Sequence, residues 1–579
     1  MIKNNKSKIT GLFLKGWQSI IGPQFFDLNG LVFLYGPNSA GKSSLIDALK
    51  IIKYAVGEND TQYTIGYHLR NNSNESSPNG TAIGVEFRVG NLDYEFVNDV
   101  KIWRQLENSQ GDKSHLDFFK KVKNKRIQVE FSDNFETLKI AIENSPLMEI
   151  RGLDPLYYTY AHARSNDAED PDEDCIYCKL VIHKKNPFVN MLFDGALDLT
   201  EGRFSKRPSY MNQERSYHHD LFVEETDNDL IINGISFDPE TRHQEHYVCV
   251  SYDVEKILFS ECPPNFPTRL EEQTNEQQII YKMFHTESEY FEKSMRDRSS
   301  LYWELVSVAK DVNLFVKGIF FHLRDAILMS YVKADRSMLS SKFPMYFTEC
   351  SILKDVLSIK GLDENLSSYA GSAAEEFINV YGGPLSDADF VGLAIKKYMP
   401  SLKNYEIFPV KVIARDADEA KAQETSCNIV FLKLKDKSGK ILGFEDVGSG
   451  FSFVLPVLTA LWNSRISFIE QPELHLHPKA QCEIGDVLIA AKNGGSNSII
   501  ESHSEHLLLR VLRRIRENSK GYPLGDDLKI NNSEVNIYYF DPMPDGNTKI
   551  KKIRIDRHGE LLDLWPNGFF SEREGELFS

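Results

Sequence analysis

Leu31-Val-Phe-Leu-Tyr-Gly-Pro-Asn-Ser-Ala-Gly-Lys-Ser-Ser44 runs on into Leu45-Ile-Asp-Ala-Leu-Lys-Ile-Ile52, and this stretch decides the fold. The apolar run Leu31 to Tyr35 predicts a buried strand, and Leu45, Ile46, Leu49 and Ile52 recur at helical spacing. Between them, Gly36 to Ser43 spells G-x-x-x-x-G-K-S with a strand before it and a helix after it, the context that turns the pattern into a phosphate site. The two glycines let backbone N–H groups curl round phosphate oxygens, and the helix N-terminus adds partial positive charge. Gly36, Pro37, Asn38, Ser39, Ala40, Gly41, Lys42, Ser43 and Ser44 are therefore expected to cradle a nucleoside triphosphate. Lys42 is expected to reach the β and γ phosphates, and Ser43 to hold Mg²⁺ through its hydroxyl.

The chain has 579 residues, too many for one compact core, so two or three substructures are expected. A hydrophobic fraction of 41% with 26% charged residues is that of an ordinary globular protein. The first residues carry no apolar core of signal-peptide length, and no uninterrupted apolar run reaches roughly 18 residues, so no membrane association is expected. Seven scattered cysteines make no disulfide framework and suit a reducing, cytoplasmic location. A net charge of −17 argues against wholesale electrostatic wrapping of DNA, although a local basic patch stays compatible with it.

Residues 1–104 read as the first part of an ATPase head, with strands at Ile9 to Leu14 and Leu31 to Tyr35. Residues 55–80 read as loop, and Thr81 to Val89 and Leu92 to Val97 as a hairpin turning at Gly90-Asn91. Residues 105–330 read as an insertion, β-rich and then helical, and 105–285 is its least legible part. The basic run Lys113 to Lys125 suits a solvated helix, Ser165 to Asp174 an acidic loop, and Cys178 to His183, Leu230 to Phe237 and Tyr247 to Tyr252 short strands. From Glu287 to Leu328 the pattern is helical but too short and aromatic for a long coiled-coil arm. Tyr331 to Arg336 reads as a strand returning to the head, which would occupy 331–524, with 525–579 a small C-terminal domain. Within 331–524, residues 370–400 read as helical, and Cys427 to Leu434 and Ile441 to Glu445 as strands around a turn at Lys435 to Gly439.

The second half of a phosphate site follows. Ile466 to Ile469 reads as a buried strand with Glu470 at its end, where an acid can approach Mg²⁺ through water. Upstream, Glu445-Asp-Val-Gly-Ser-Gly450 is a glycine-rich turn running into an apolar helix, again an anion-binding arrangement. Downstream, Ser498-Ile-Ile-Glu-Ser-His503 reads as a strand whose terminal His503 can sense a γ phosphate.

Taken together, these elements occur in the order of ABC-type ATPase heads. The stretches I-E-Q-P-E-L-H-L-H-P (Ile469 to Pro478), E-S-H-S-E-H-L-L-L-R (Glu501 to Arg510) and Trp565-Pro-Asn-Gly-Phe-Phe570 resemble one bacterial family. That family is the ABC-like AAA ATPases ending in a short domain of unknown function marked by W-P-x-G-F-F. The resemblance covers roughly residues 8–55 and 330–579 and is weak over 105–285. It implies an α/β fold, an ABC-type P-loop head with a mixed α+β insertion, binding ATP and Mg²⁺ as a homodimer through the heads. It implies Glu470 in the Walker B role, Ser449 and Gly450 facing the partner's γ phosphate, and His503 as the switch histidine. Arg336 matches an arginine that recurs in the family.

Two departures stand out. Ser449-Gly450 is followed by Phe451 where a second glycine is usual, which makes Ser452 an alternative phosphate-facing hydroxyl. The residue after Glu470, usually the catalytic glutamate, is Gln471, and an amide orients water without accepting its proton. Hydrolysis is therefore expected to be slow, or assisted by Glu473.

Other signals are weaker. Cys175 and Cys178 with His183 look like half a zinc site, with Cys249 and Cys262 as the candidates to close it. His503-Ser-Glu-His506 does not match the spacing of H-E-x-x-H. His218 and His219 read as surface residues, and His475 and His477 fall where ABC heads place the D-loop. Trp565 is expected to pack a small element onto the head. The resemblance implies a regulatory ATPase in anti-phage defence beside a separate nuclease or toxin effector. An alternative is an ATPase-nuclease of the overcoming-lysogenization-defect type, but Asp541, Asp545 and Asp556 lack the strand–helix repeats of its nuclease domain. An SMC-like DNA repair ATPase is the third reading, and nucleic-acid binding is left open.

Overall fold

The computed structural model describes residues 7–56, 80–90, most of 118–151, 176–189, most of 222–237, most of 315–336, 346–347, 385–414 and 427–566. Its described strands form three sheets.

The largest sheet is antiparallel throughout. It comprises β1 (Lys8–Lys15), β2 (Gln24–Asp27), β4 (Ala82–Arg88), β5 (Arg126–Ser132), β6 (Thr137–Ile142), β7 (Ser145–Arg151), β8 (Ile176–His183), β9 (Phe222–Glu225) and β10 (Asp229–Phe237), in the order β2-β1-β4-β5-β6-β7-β8-β10-β9. The sheet is continuous across the expected boundary at residue 104, because β4 pairs residue for residue with β5. Head and insertion therefore share one sheet.

The head sheet contains β3 (Leu31–Tyr35), β11 (Met329–Val332), β16 (Ile466–Glu470), β17 (Asn497–Glu501), β18 (Val535–Pro542) and β19 (Thr548–Ile553), in the order β11-β16-β17-β3-β18-β19. All its pairings are parallel except β18 with β19. Residues 525–579, the expected small C-terminal domain, supply two strands of this sheet, and β18 lies directly against β3. Val535 to Phe540 is apolar except for Asn536 and buried throughout, as a strand covered on both faces requires.

A third sheet holds β12 (Tyr346–Phe347), β13 (Tyr405–Ala414), β14 (Cys427–Asp436) and β15 (Ile441–Leu442). The strand expected to run to Glu445 stops at Leu442. Phe444–Asp446 instead makes a 3-10 turn, because the Asp446 carboxylate accepts from the Gly443 N–H at 2.8 Å.

The head sheet separates two cores, and its side chains alternate between them with period two. Val32, Leu34, Phe468, Ile499, Tyr538 and Phe540 face the core shared with the antiparallel sheet and helix α1 (Ser44–Val56). Leu31, Phe33, Tyr35, Ile469, Ile500, Ile537 and Tyr539 face the other core. Into that core pack helices α2 (Leu385–Tyr398), α3 (Gly450–Asn463), α4 (Pro478–Asn493) and α5 (Glu505–Ser519). Pro478 occupies the first turn of α4, where no N–H is missed, and His477 caps it by accepting from the Lys479 N–H. Within 315–327, the described residues are helical up to Ala326 and line the first core.

Several expectations lie outside the described residues. They are the loop at 57–79, the second hairpin strand at Leu92 to Val97, the acidic loop, Tyr247 to Tyr252, the helical pattern from Glu287 to Leu314, the helical stretch 370–384, Cys175, Cys249, Cys262, His218, His219 and the two C-terminal phenylalanines.

Candidate nucleotide site

The loop after β3 closes at both ends against its own chain. Gly36 has φ +142°, and a Cβ there would lie 2.3 Å from the Phe540 carbonyl oxygen of β18. Gly41 has φ +84°, and a Cβ there would meet the Ser19 hydroxyl at 2.4 Å. No residue but glycine fits either place without a shift. Ser39, at φ +61°, completes the curl. The hydroxyl of Thr548, the first residue of β19, donates to the Ala40 carbonyl at 3.0 Å and shares a hydrogen bond with the Ser19 hydroxyl at 2.8 Å.

Lys42 is buried. Its ammonium donates to the carbonyls of Gly36 at 3.1 Å and Pro37 at 2.7 Å, and lies 3.4 Å from Glu501 Oε1. Ser43 is exposed at the mouth of the loop. Ser44, included among the expected cradle residues, turns the other way. It is buried, its hydroxyl donates to Gln18 Oε1, and its carbonyl accepts from the Trp17 indole at 3.0 Å. Ser44 therefore anchors the start of α1 and does not face the loop mouth.

Glu470 ends β16 with both carboxylate oxygens engaged. Oε1 accepts from the Tyr331 hydroxyl at 2.5 Å and Oε2 from the Ala334 N–H at 2.9 Å. Burial and this carboxylate push the Tyr331 phenol well above its usual range. Gln471 has φ +44° in the turn that follows. Its N–H donates to the Glu501 carbonyl at 2.7 Å. Arg336, 4% exposed, donates to the carbonyls of Lys333 at 2.5 Å, Glu470 at 3.0 Å and Gln471 at 3.0 Å. It is a positioning residue that fixes the backbone of the acid-ended strand.

Glu501 was not among the expected site residues. It ends β17, which lies between β16 and β3, and it is the register partner of Glu470. Its carboxylate is 13% exposed, and the buried Oε2 has no hydrogen-bond partner. Burial raises its pKa, with Lys42 opposing the rise and Glu470 adding to it. A buried strand ending in an acid was the signal that identified Glu470, and Ser498 to Glu501 carries the same one. His503 is exposed two residues later, and its N–H donates to Glu473 Oε1 at 2.7 Å. Partial desolvation of the ring, and then Lys42, lower the His503 pKa, and burial raises that of Glu473.

The glycine turn lies apart from these contacts. Gly448 is exposed, and Ser449 and Gly450 are half-buried. Ser449 precedes α3 and makes no side-chain cap bond. Phe451, which replaces the usual glycine, is buried against Tyr405 and Phe444, with ring centroids 6.0 and 6.2 Å away. Ser452 is fully buried, so it does not reach the surface as a phosphate-facing hydroxyl. A Cβ on Gly450 would meet the His475 carbonyl at 3.1 Å, so the turn packs on the expected D-loop. Trp565 packs edge-on against Tyr35, the residue before Gly36, at 5.3 Å, and against Tyr539 at 6.3 Å.

Among the described residues no group of three or more His, Cys, Asp or Glu is arranged to hold a metal by itself. His183 of the discounted zinc half-site is bound to Asp229 at 2.8 Å. No described helix is long and apolar enough to cross a membrane.

The profile of a family described as a protein of unknown function (DUF3696) matches residues 530–579, which contain β18, β19 and Trp565. No curated protein matches the chain. Among solved structures, the Smc head domain of Pyrococcus furiosus, bound to the C-terminal domain of ScpA, is 9% identical with a TM-score of 0.31, covering 95% of this chain and 96% of that one. The SMC head domain from Thermotoga maritima is 8% identical with a TM-score of 0.31, covering 95% and 100%. Superpositions that loose say nothing about function. The AAA ATPase domain profile matches residues 25–508, from β2 through the first turn of α5, and the chain belongs to the AAA ATPase domain family.

Proposed function

We propose that this chain is an ATP-gated switch. Its heads dimerise around two ATP molecules, hydrolyse them slowly, and regulate a separate effector, a nuclease or toxin in anti-phage defence. The convergence of Lys42, Glu470, Glu501 and His503 at one edge of the parallel sheet carries this reading. In the open α/β sheets of nucleotide-binding folds, ligands sit at that edge. In this reading loop N–H groups and Lys42 bind the triphosphate, and His503 senses the γ phosphate.

The residues fit Mg²⁺. Ser43 is exposed at the loop mouth, Glu470 and Glu501 end adjacent strands, and one buried oxygen of Glu501 has no hydrogen-bond partner. Ser43, Glu470 and Glu501 would hold the ion, and when bound it would supply positive charge against the charge of the phosphates. Gln471, held through its backbone by Arg336 and Glu501, orients water but takes no proton, which keeps turnover slow. The open Ser449-Gly450 turn completes the site of a second copy.

The test is ATP turnover by purified protein, with masses measured with and without ATP. Wild type should turn over slowly and double its mass in ATP, Lys42→Ala should do neither, and Gln471→Glu should be about tenfold faster or more. Brisk wild-type turnover that Gln471→Glu leaves unchanged would overturn the role given to Gln471. A mass unaltered by ATP would overturn the dimer.

A further inference from the structure

We infer that Glu501 gates the phosphate loop, holding Lys42 until a nucleotide arrives with a divalent cation, and so makes the site selective for the metal-complexed triphosphate. The inference rests on the ATP-binding reading above.

The three N–H bonds of the Lys42 ammonium face three acceptors of its own chain, the Gly36 and Pro37 carbonyls and the Glu501 carboxylate. A phosphate that recruits Lys42 must displace at least one of them, and Glu501 carries the only charge among the three. Once released, Glu501 is a largely buried carboxylate beside the ingoing negative charge, with Glu470 in register on the next strand. Such a charge is costly unless it finds a new counter-charge.

Nothing on the neighbouring strand offers one. Glu470 is itself anionic, and its oxygens already accept from Tyr331 and Ala334. The cation that travels with the nucleotide can fill the gap, since Glu501 Oε2 is buried and has no hydrogen-bond partner. Lys42 and the cation would thus exchange places as the partner of Glu501. Without metal, Glu501 both retains Lys42 and repels phosphate. With metal, it contributes attraction.

The measurement is equilibrium ATP binding to the full chain in Mg²⁺ and in EDTA, for wild type, Lys42→Ala, Glu501→Gln and Glu501→Asp. Glu501→Gln should bind ATP in EDTA about tenfold more tightly than wild type does and lose most of the difference between the two conditions. Glu501→Asp keeps the charge and should keep that difference. If Glu501→Gln retains the wild-type ratio of affinities, or if Gln and Asp shift it alike, the gate is overturned. If wild type binds Mg²⁺-ATP no better than Lys42→Ala does, the ATP-binding reading fails and the gate goes with it.

Discussion

In the head sheet, β11, β16, β17 and β3 run parallel, so the segments that follow them, carrying Arg336, Gln471, His503 and Gly36, leave at one edge. In the nine-stranded sheet each strand opposes its neighbour, and strand ends alternate between two edges. Both sheets carry charge. On the antiparallel sheet it is paired locally and partly solvated, as in Lys139 with Glu130 at 3.1 Å and Arg126 with Glu143 at 3.4 Å. At the shared edge of the parallel strands, Glu501 and Lys42 form a largely buried pair beside the phosphate loop, with Glu470 in register. The direction of pairing, more than residue type, decides where chemistry gathers.

Substitutions can break or sharpen that contrast. The largest effect is expected for Arg336→Met, which leaves three carbonyl partners without their buried donor. It should lower unfolding free energy by about 3–5 kcal/mol in urea titrations and weaken ATP binding, because the Glu470 turn loosens.

Next comes a pH effect confined to the other core. His322 is buried against Phe119 with Ser7 at 3.1 Å from its Nδ1, and burial lowers its pKa from 6.5 to about 4. Between those values the unfolded chain binds the proton first, so the contribution is whole above pH 6.5 and is lost as pH falls toward 4. Wild type should lose about 3 kcal/mol more than His322→Gln over that window, measured by denaturation at each pH, with ATP affinity at pH 7 unaltered.

The smallest effect is expected for Arg126→Met, under about 1 kcal/mol, since its ion pairs are partly solvated. If it cost as much as Arg336→Met, the two sheets would not differ in the way argued.

Much of the head was legible because its signals are local. The run Leu31 to Ser43 carries strand, loop and lysine within thirteen residues, and Ile466 to Glu470 carries strand and acid within five. What was not legible depends on pairing across long separations. Nothing in Ala82 to Arg88 announces β5 as its neighbour, and nothing in Val535 to Phe540 announces β3. The purpose of Arg336 was hidden because its partners are main-chain carbonyls, which leave no mark in a sequence. Glu501 is legible in principle, since it closes the strand-like run Ser498 to Ile500 as Glu470 closes Ile466 to Ile469, but His503 is the more distinctive residue of that segment.

The brace on the phosphate loop has a consequence for biosynthesis. Thr548 and Ala40 are 508 residues apart, and Phe540, which walls Gly36, comes nearly as late. A ribosome therefore delivers the lysine early and the wall of its loop only after some five hundred more residues. Closing so long a connection is slow compared with forming local structure. Until it closes, a nascent head lacks the support that shapes its loop, so capture of nucleotide is deferred until β18 and β19 have been made and have docked.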